Sequence, residues 1–181
     1  MLDAIARWSP TGTIAEVELE ALVDWPVRRV SLALPGPFDL VASTCLLSQL
    51  IANAHHAIGE AHPQFSQVIQ AIRLGHLRLL ASLARPGARV VLITDIASTD
   101  WAPEIARVPE DDLPSLIPRL LAHQGLIRGV IPVELVTILR RDPVLQANLD
   151  QIRLVSPWRW RLHDRTYLVS AIEARVKPVL A

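Results

Sequence analysis

The spacing of apolar residues changes along the chain, and the period of each stretch predicts its element. Leu46, Leu47, Leu50, Ile51, Ala54 and Ile58 recur at helical intervals and predict a helix that stops at Gly59. Phe65, Val68, Ile69, Ile72, Leu79, Leu80 and Leu83 predict a second helix, starting near Pro63 and ended by Arg85-Pro86-Gly87. Between them and what precedes, the period shortens. Val30, Leu32 and Leu34 alternate before the turn Pro35-Gly36-Pro37 and predict a short strand. Phe38 to Ser43 predicts a buried strand that hands over to the first helix at Ser43 or Thr44, either of which can cap it. The run Arg89 to Thr94 is β-branched and almost wholly apolar, the pattern of a central parallel strand covered on both faces.

Asp95 to Pro114 reads as a long polar connection. Leu116, Ile117, Leu120 and Leu121 then point to a helix with Pro118 inside it, and Pro132 and Pro143 occupy first-turn positions of two short helices, the second capped by Asp142. Ile152 to Leu162 and Thr166 to Val176 predict two strands joined by His163-Asp164-Arg165, a terminal hairpin. Residues 1 to 27 fit both periods: Ile14, Val17, Leu22 and Trp25 suit a helix, whereas Glu16, Glu18 and Glu20 alternate with Val17 and Leu19 as in a strand. The expected architecture is therefore an α/β domain over residues 28–181, with a mostly parallel sheet, a C-terminal antiparallel hairpin and helices on both faces, preceded by a segment of uncertain structure over residues 1–27.

The composition of these 181 residues, 51% hydrophobic and 20% charged, is that of a chain with a sizeable core. Lysine plus arginine and aspartate plus glutamate both total 18, so bulk charge selects neither nucleic acid nor a cationic partner. The one cysteine, Cys45, excludes an internal disulfide and fits a reducing compartment, which makes the cytoplasm the expected location. No basic stretch and apolar run follow Met1 as in a leader, and no apolar run has the length of about 20 residues needed to span a bilayer.

Phe38-Asp39-Leu40-Val41-Ala42-Ser43 followed by Leu46-Leu47-Ser48-Gln49-Leu50 resembles the fourth strand and next helix of class I S-adenosylmethionine-dependent methyltransferases. Leu83 to Asp95 resembles that family's helix, Pro-Gly turn and fifth strand, and the closing hairpin its sixth and seventh strands. The resemblance runs from Arg28 to Val176 and implies a Rossmann-like sheet and methyl transfer to an unidentified acceptor. The family's Gly-rich turn and the acid after its second strand have no counterpart, because no Gly-x-Gly occurs and only Gly12 and Gly36 precede residue 59. The chain thus resembles the C-terminal part of such an enzyme, truncated or degenerate, with S-adenosylmethionine implied as cofactor but its binding by this chain in doubt. The alternative is a noncatalytic interaction or dimerisation module. With the strands that would flank the fourth missing, its edge is expected to be open to residues 1–34 or to a second copy.

Ligands of open α/β sheets collect beyond the carboxyl ends of the strands. That position and the resemblance together make Ser43, Thr44 and Cys45 the cofactor-side candidates and Asp95, Ser98 and Thr99 the substrate-pocket candidates; equally, Ser43 and Thr44 suit a helix cap and Asp95 a turn. No catalytic base is named, since positioning carries most of such a reaction. Cys45 has no base nearby in sequence and reads as a small buried hydrophobe. His55, His56, Glu60 and His62 resemble a metal cluster in composition and underlie a third reading, a metal-dependent hydrolase; neighbouring histidines on a helix point about 100° apart, so a solvated helix end is expected instead and no metal is assigned. His76, between Ile72 and Leu79, reads as a satisfied, half-buried histidine. Trp158 and Trp160 alternate with Arg159 and Arg161, which is expected to pack the indoles on a helix and turn the guanidiniums to solvent rather than stack nucleic-acid bases.

Overall fold

The computed structural model describes residues 8–123 and 125–178. The stretch after Met1 read above for a leader lies outside the described residues. Helix α1 (Glu16–Ala33) is followed by β1 (Phe38–Thr44), α2 (Leu46–Ile58), α3 (Phe65–Leu83) and β2 (Ala84–Ser98). Two short 3-10 turns, Pro103–Ala106 and Glu110–Asp112, lead into α4 (Leu113–Ala122), α5 (Pro132–Arg141), α6 (Pro143–Asn148) and the hairpin of β3 (Leu149–Leu162) and β4 (Arg165–Val176). No helix among the described residues is long and apolar enough to cross a membrane.

The four strands form one sheet in the order β1-β2-β4-β3. β1 runs parallel to β2, with Val41 beside Val90 and Ser43 beside Leu92. β4 lies between β2 and β3 and is antiparallel to both. The fold is α/β, but the sheet is mixed rather than mostly parallel by pairing. One reversed strand placed in the interior makes two of the three pairings antiparallel, although β1, β2 and β3 share a direction.

The expectation of helices on both faces is also corrected. The core is continuous on one face only: Val41, Val90, Leu92, Leu168, Ile172 and Ala174 of the sheet lie under Leu47 and Ile51 of α2, Val68 and Ile72 of α3, and Leu116, Leu135 and Leu145 of α4 to α6. The cause is chain direction. The crossovers β1 to β2 and β2 to β3 step the same way along the sheet, and right-handed connections that step the same way return across the same face. On the other face Leu40, Ala42 and Thr44 of β1 are exposed, and Val169 and Ala171 are buried yet stand outside the main core.

Helix α1 overturns the short strand expected at Val30 to Leu34 and runs unbroken through residue 28. Leu19, Leu22, Val23, Pro26, Val27 and Val30 face inward at helical spacing, while Leu32, 86% exposed, faces out. The Glu18 carboxylate accepts a hydrogen bond from the Ala15 N–H and closes the first turn. α1 packs chiefly on α3, where Gly75 lets the backbones of Leu22 and Val23 approach. The helix therefore builds a further layer over α3, and β2 is the only strand paired with β1 among the described residues.

Candidate functional site

The carboxyl ends of β1 and β2 meet the start of α2, and the backbone there differs from the capped helix the sequence suggests. β1 continues through Thr44, and the position before α2 is Cys45, held in the left-handed region at φ 53° by a bond from its N–H to the Ile93 carbonyl (2.8 Å). Neither Ser43 nor Thr44 caps the helix. The hydroxyl of Ser48 instead reaches back to the Cys45 carbonyl (2.8 Å). At its other end α2 stops at Gly59, whose φ of 73° suits glycine.

The six candidates separate by strand parity and by chain continuation. Ser43 points to the helix-covered face, where its hydroxyl bonds the Nε2 of His76 at 2.8 Å, both groups being buried. Burial lowers the His76 pKa to about 4 and so keeps the ring neutral near pH 7. Thr44 points to the open face and is exposed. Ser98 is buried, and its hydroxyl accepts a bond from the Asp100 N–H in a turn. Thr99 extends the β2–β4 ladder: its N–H bonds the Thr166 carbonyl and its hydroxyl oxygen accepts from the Thr166 N–H. Ser43, Ser98 and Thr99 thus have structural partners, leaving Thr44, Cys45 and Asp95 at the strand ends.

Asp95 is the meeting point. Its carboxylate is bonded by the Ser48 hydroxyl, 47 residues earlier in the chain, and lines two openings. One is a cleft of about 500 Å³ on the helical side. Ser48, Gln49 and His55 of α2 line it with Phe65 of α3, with Trp101 of the connection between β2 and α4, and with Arg128 of the connection between α4 and α5. The other is a cavity of about 150 Å³ beside Cys45, Trp160, Leu162 and Tyr167. Burial, then the charge and hydrogen bonding of Asp95, push the Cys45 thiol up to about 11, so it is protonated near neutrality and unsuited to nucleophilic attack.

Among the described residues no group of three or more histidine, cysteine or carboxylate side chains is arranged to hold a metal ion. His55 and His56 sit edge to face with ring centroids 6.0 Å apart, and the His55 Nε2 lies 3.7 Å from Glu60, an exposed contact that Arg128 shares on the other carboxylate oxygen at 3.7 Å. His62 is no part of a solvated helix end. It is buried, its Nε2 bonds the Gly12 carbonyl at 2.7 Å and its Nδ1 accepts from the Gln64 N–H, which ties the segment before α1 to the start of α3.

The tryptophan–arginine ladder departs from the expectation for both indoles and for Arg159, whereas Arg161 is exposed as expected. Trp158 and Trp160 pair with Val169 and Tyr167 on the helix-free face, and Trp160 is 44% exposed. Arg159 lies on the helical side, where its guanidinium donates to the carbonyls of Ile105, Ala106 and Val108 and satisfies the end of a 3-10 turn. Alternation separates the two side-chain types, but the fold decides which one faces inward.

Trp101, Arg128 and Ser48 escape a sequence reading of the site. Trp101 stands in a connection without periodicity, and its place follows from a bond of its Nε1–H to the Gly125 carbonyl at 2.9 Å. Arg128 stands in the separate connection between α4 and α5, and Ser48 looks like any polar residue on a helix. No family model, curated protein or solved structure matches the chain.

Proposed function

We propose that the chain is a methyltransferase-type domain with a partial Rossmann-like sheet, and that alone it binds S-adenosylmethionine weakly. The observation that carries this reading is the strand arrangement: β1 is parallel to and beside β2, and the terminal hairpin supplies the one reversed strand, as expected for a fourth and fifth strand followed by a closing hairpin. The strand ends supply one wall of a cofactor site through Thr44 and Cys45, with Asp95 on the acceptor side; Ser43 is withdrawn to His76. No glycine-rich turn is present in the sequence to approach a cofactor's adenosine and carboxylate. In-line methyl transfer depends on positioning, so the partial wall supports weak binding and little turnover.

Titration with S-adenosylmethionine, followed by amide NMR, tests the reading. The expected result is a dissociation constant of about 1 mM or weaker, with shifts concentrated at Thr44, Cys45 and Asp95. An absence of shifts there at saturating ligand overturns it. Methyl transfer to an acceptor and a cytoplasmic location belong to the same proposal.

A second reading, a noncatalytic dimerisation module, is favoured by the outer edge of β1. That strand pairs only with β2 among the described residues, carries a single charge, Asp39, and shows Leu40 at 57% exposure. An unprotected strand of this kind pairs with a second copy. Light scattering across a dilution series is expected to show a dimer that dissociates, and a monomer at every concentration removes this reading.

A further inference from the structure

Asp95 is 8% exposed, and among the described residues no arginine, lysine or histidine forms an ion pair with it. Its neutral donors are the Ser48 hydroxyl, whose one proton is divided between the Asp95 carboxylate and the Cys45 carbonyl, and the Cys45 thiol, and neither brings a positive charge. A carboxylate that has lost water and lacks a counter-charge is costly unless something else supplies donors. The charges at the mouth of the cleft do not serve, because His55 and Arg128 both face Glu60.

The walls of the cleft limit what can supply those donors. Trp101 is held by its Nε1–H on the Gly125 carbonyl and remains half exposed, so the indole forms a fixed, accessible flat wall. Phe65 closes the inner side. A volume of about 500 Å³ accommodates one small ring system with a short substituent. Two aromatic side chains beside a carboxylate that has no counter-charge suit a planar cation, whose N–H groups face the oxygens while its ring lies against the indole.

We propose that this cleft binds a small planar organic cation of the amidine or guanidine type, with Asp95 as its anchor and Trp101 as the surface its ring rests on. The site goes beyond the methyltransferase-type reading and does not depend on it.

Benzamidine, benzamide and benzoate are nearly equal in shape and carry positive, zero and negative charge, so they separate the anchor from the flat wall. Titrated into the full chain and followed by NMR, benzamidine is expected to bind about tenfold or more tightly than benzamide. It should shift the Trp101 indole and the Gln49 side chain, and benzoate should not bind. Asp95→Asn should bring benzamidine to the level of benzamide, and Trp101→Ala should weaken both. Benzoate binding as well as benzamidine overturns the proposal, as do benzamidine shifts confined to another surface. So does unchanged benzamidine binding by an Asp95→Asn chain whose amide spectrum is that of a folded protein. If that variant does not fold, the order of the three probes on the unaltered chain decides. Asp95 is shared with the S-adenosylmethionine titration, but Thr44 reports only on that cofactor and Trp101 only on the planar cation, so failure of one result leaves the other standing.

Discussion

The two faces of the sheet have similar strand chemistry and opposite fates. On the helical face Val90, Leu92, Leu168 and Ile172 are buried, and polar groups that fall there are matched: Ser43 by His76, and the guanidinium of Arg159 by three carbonyls. On the other face the same strands present Leu40, Val91, Ile93, Trp160 and Leu162, all at least partly exposed. The difference teaches that an apolar strand side does not secure cover by itself. Cover comes from connections, and here both crossovers return over one side.

The largest difference between the two faces should appear when a buried side chain is truncated. Leu168 is fully buried in the helical core, and Leu168→Ala should cost about 3 to 4 kcal/mol in urea denaturation, whereas Leu40→Ala on the opposite face should stay within about 0.5 kcal/mol. Equal losses would mean that the open face is covered in solution.

A slightly smaller effect should follow pH. The unfolded chain protonates His76 near its ordinary 6.5, whereas the folded protein keeps it neutral down to about 4 because the ring is buried. The unfolded state therefore binds more protons between these values. Stability is complete above pH 6.5 and falls as pH drops from 6.5 to 4, by about 3 kcal/mol. His76→Gln should flatten that slope in denaturation curves taken across the window. A contribution from Asp142 would lie lower. Burial raises its carboxyl, but the hydrogen bonds from Arg78 and the Leu145 N–H outweigh this and hold it below 3.8, so its stabilisation is lost only as pH falls beneath that value.

Gly75→Ala probes the layer above α3. In a free helix the change gains about 1 kcal/mol, but here the added Cβ meets the Leu22 carbonyl oxygen and lies 3.0 Å from the Val23 Cα. The sign should reverse, with a loss of about 2 kcal/mol and proteolytic cleavage within α1 before the remainder unfolds. The smallest effect on stability belongs to the edge. Leu40→Lys should change unfolding free energy by no more than about 0.5 kcal/mol and yet abolish any dimer seen by light scattering, since charge on an edge strand blocks further pairing.

Much of the fold is legible in the sequence because period is local. The apolar faces of α2 and α3, the stop at Gly59, the Asp142 cap and the terminal hairpin all rest on residues within a few positions of one another. Val30 to Leu34 misleads for the same reason: alternate apolar residues over five positions fit a strand, and only the approach of Leu22 and Val23 to Gly75 selects the helix. Of the candidate site, Asp95 and Cys45 are legible from the general rule that ligands gather at strand ends. Ser98 and Thr99 share that address but are consumed by Asp100 and Thr166, partners that spacing does not reveal at the distance of Thr166.

Spacing along the chain is enough to place the apolar faces of α2 and α3 and the terminal hairpin, and to put tryptophan and arginine at 158 to 161 on opposite sides of one strand, because backbone geometry converts spacing directly into facing. Tertiary structure alone decided which side is inward, joined Ser48 to Asp95 across 47 residues and brought Trp101 to the same cleft. Those outcomes depend on the direction in which each connection crosses the sheet and on what it carries there, and no local periodicity encodes either.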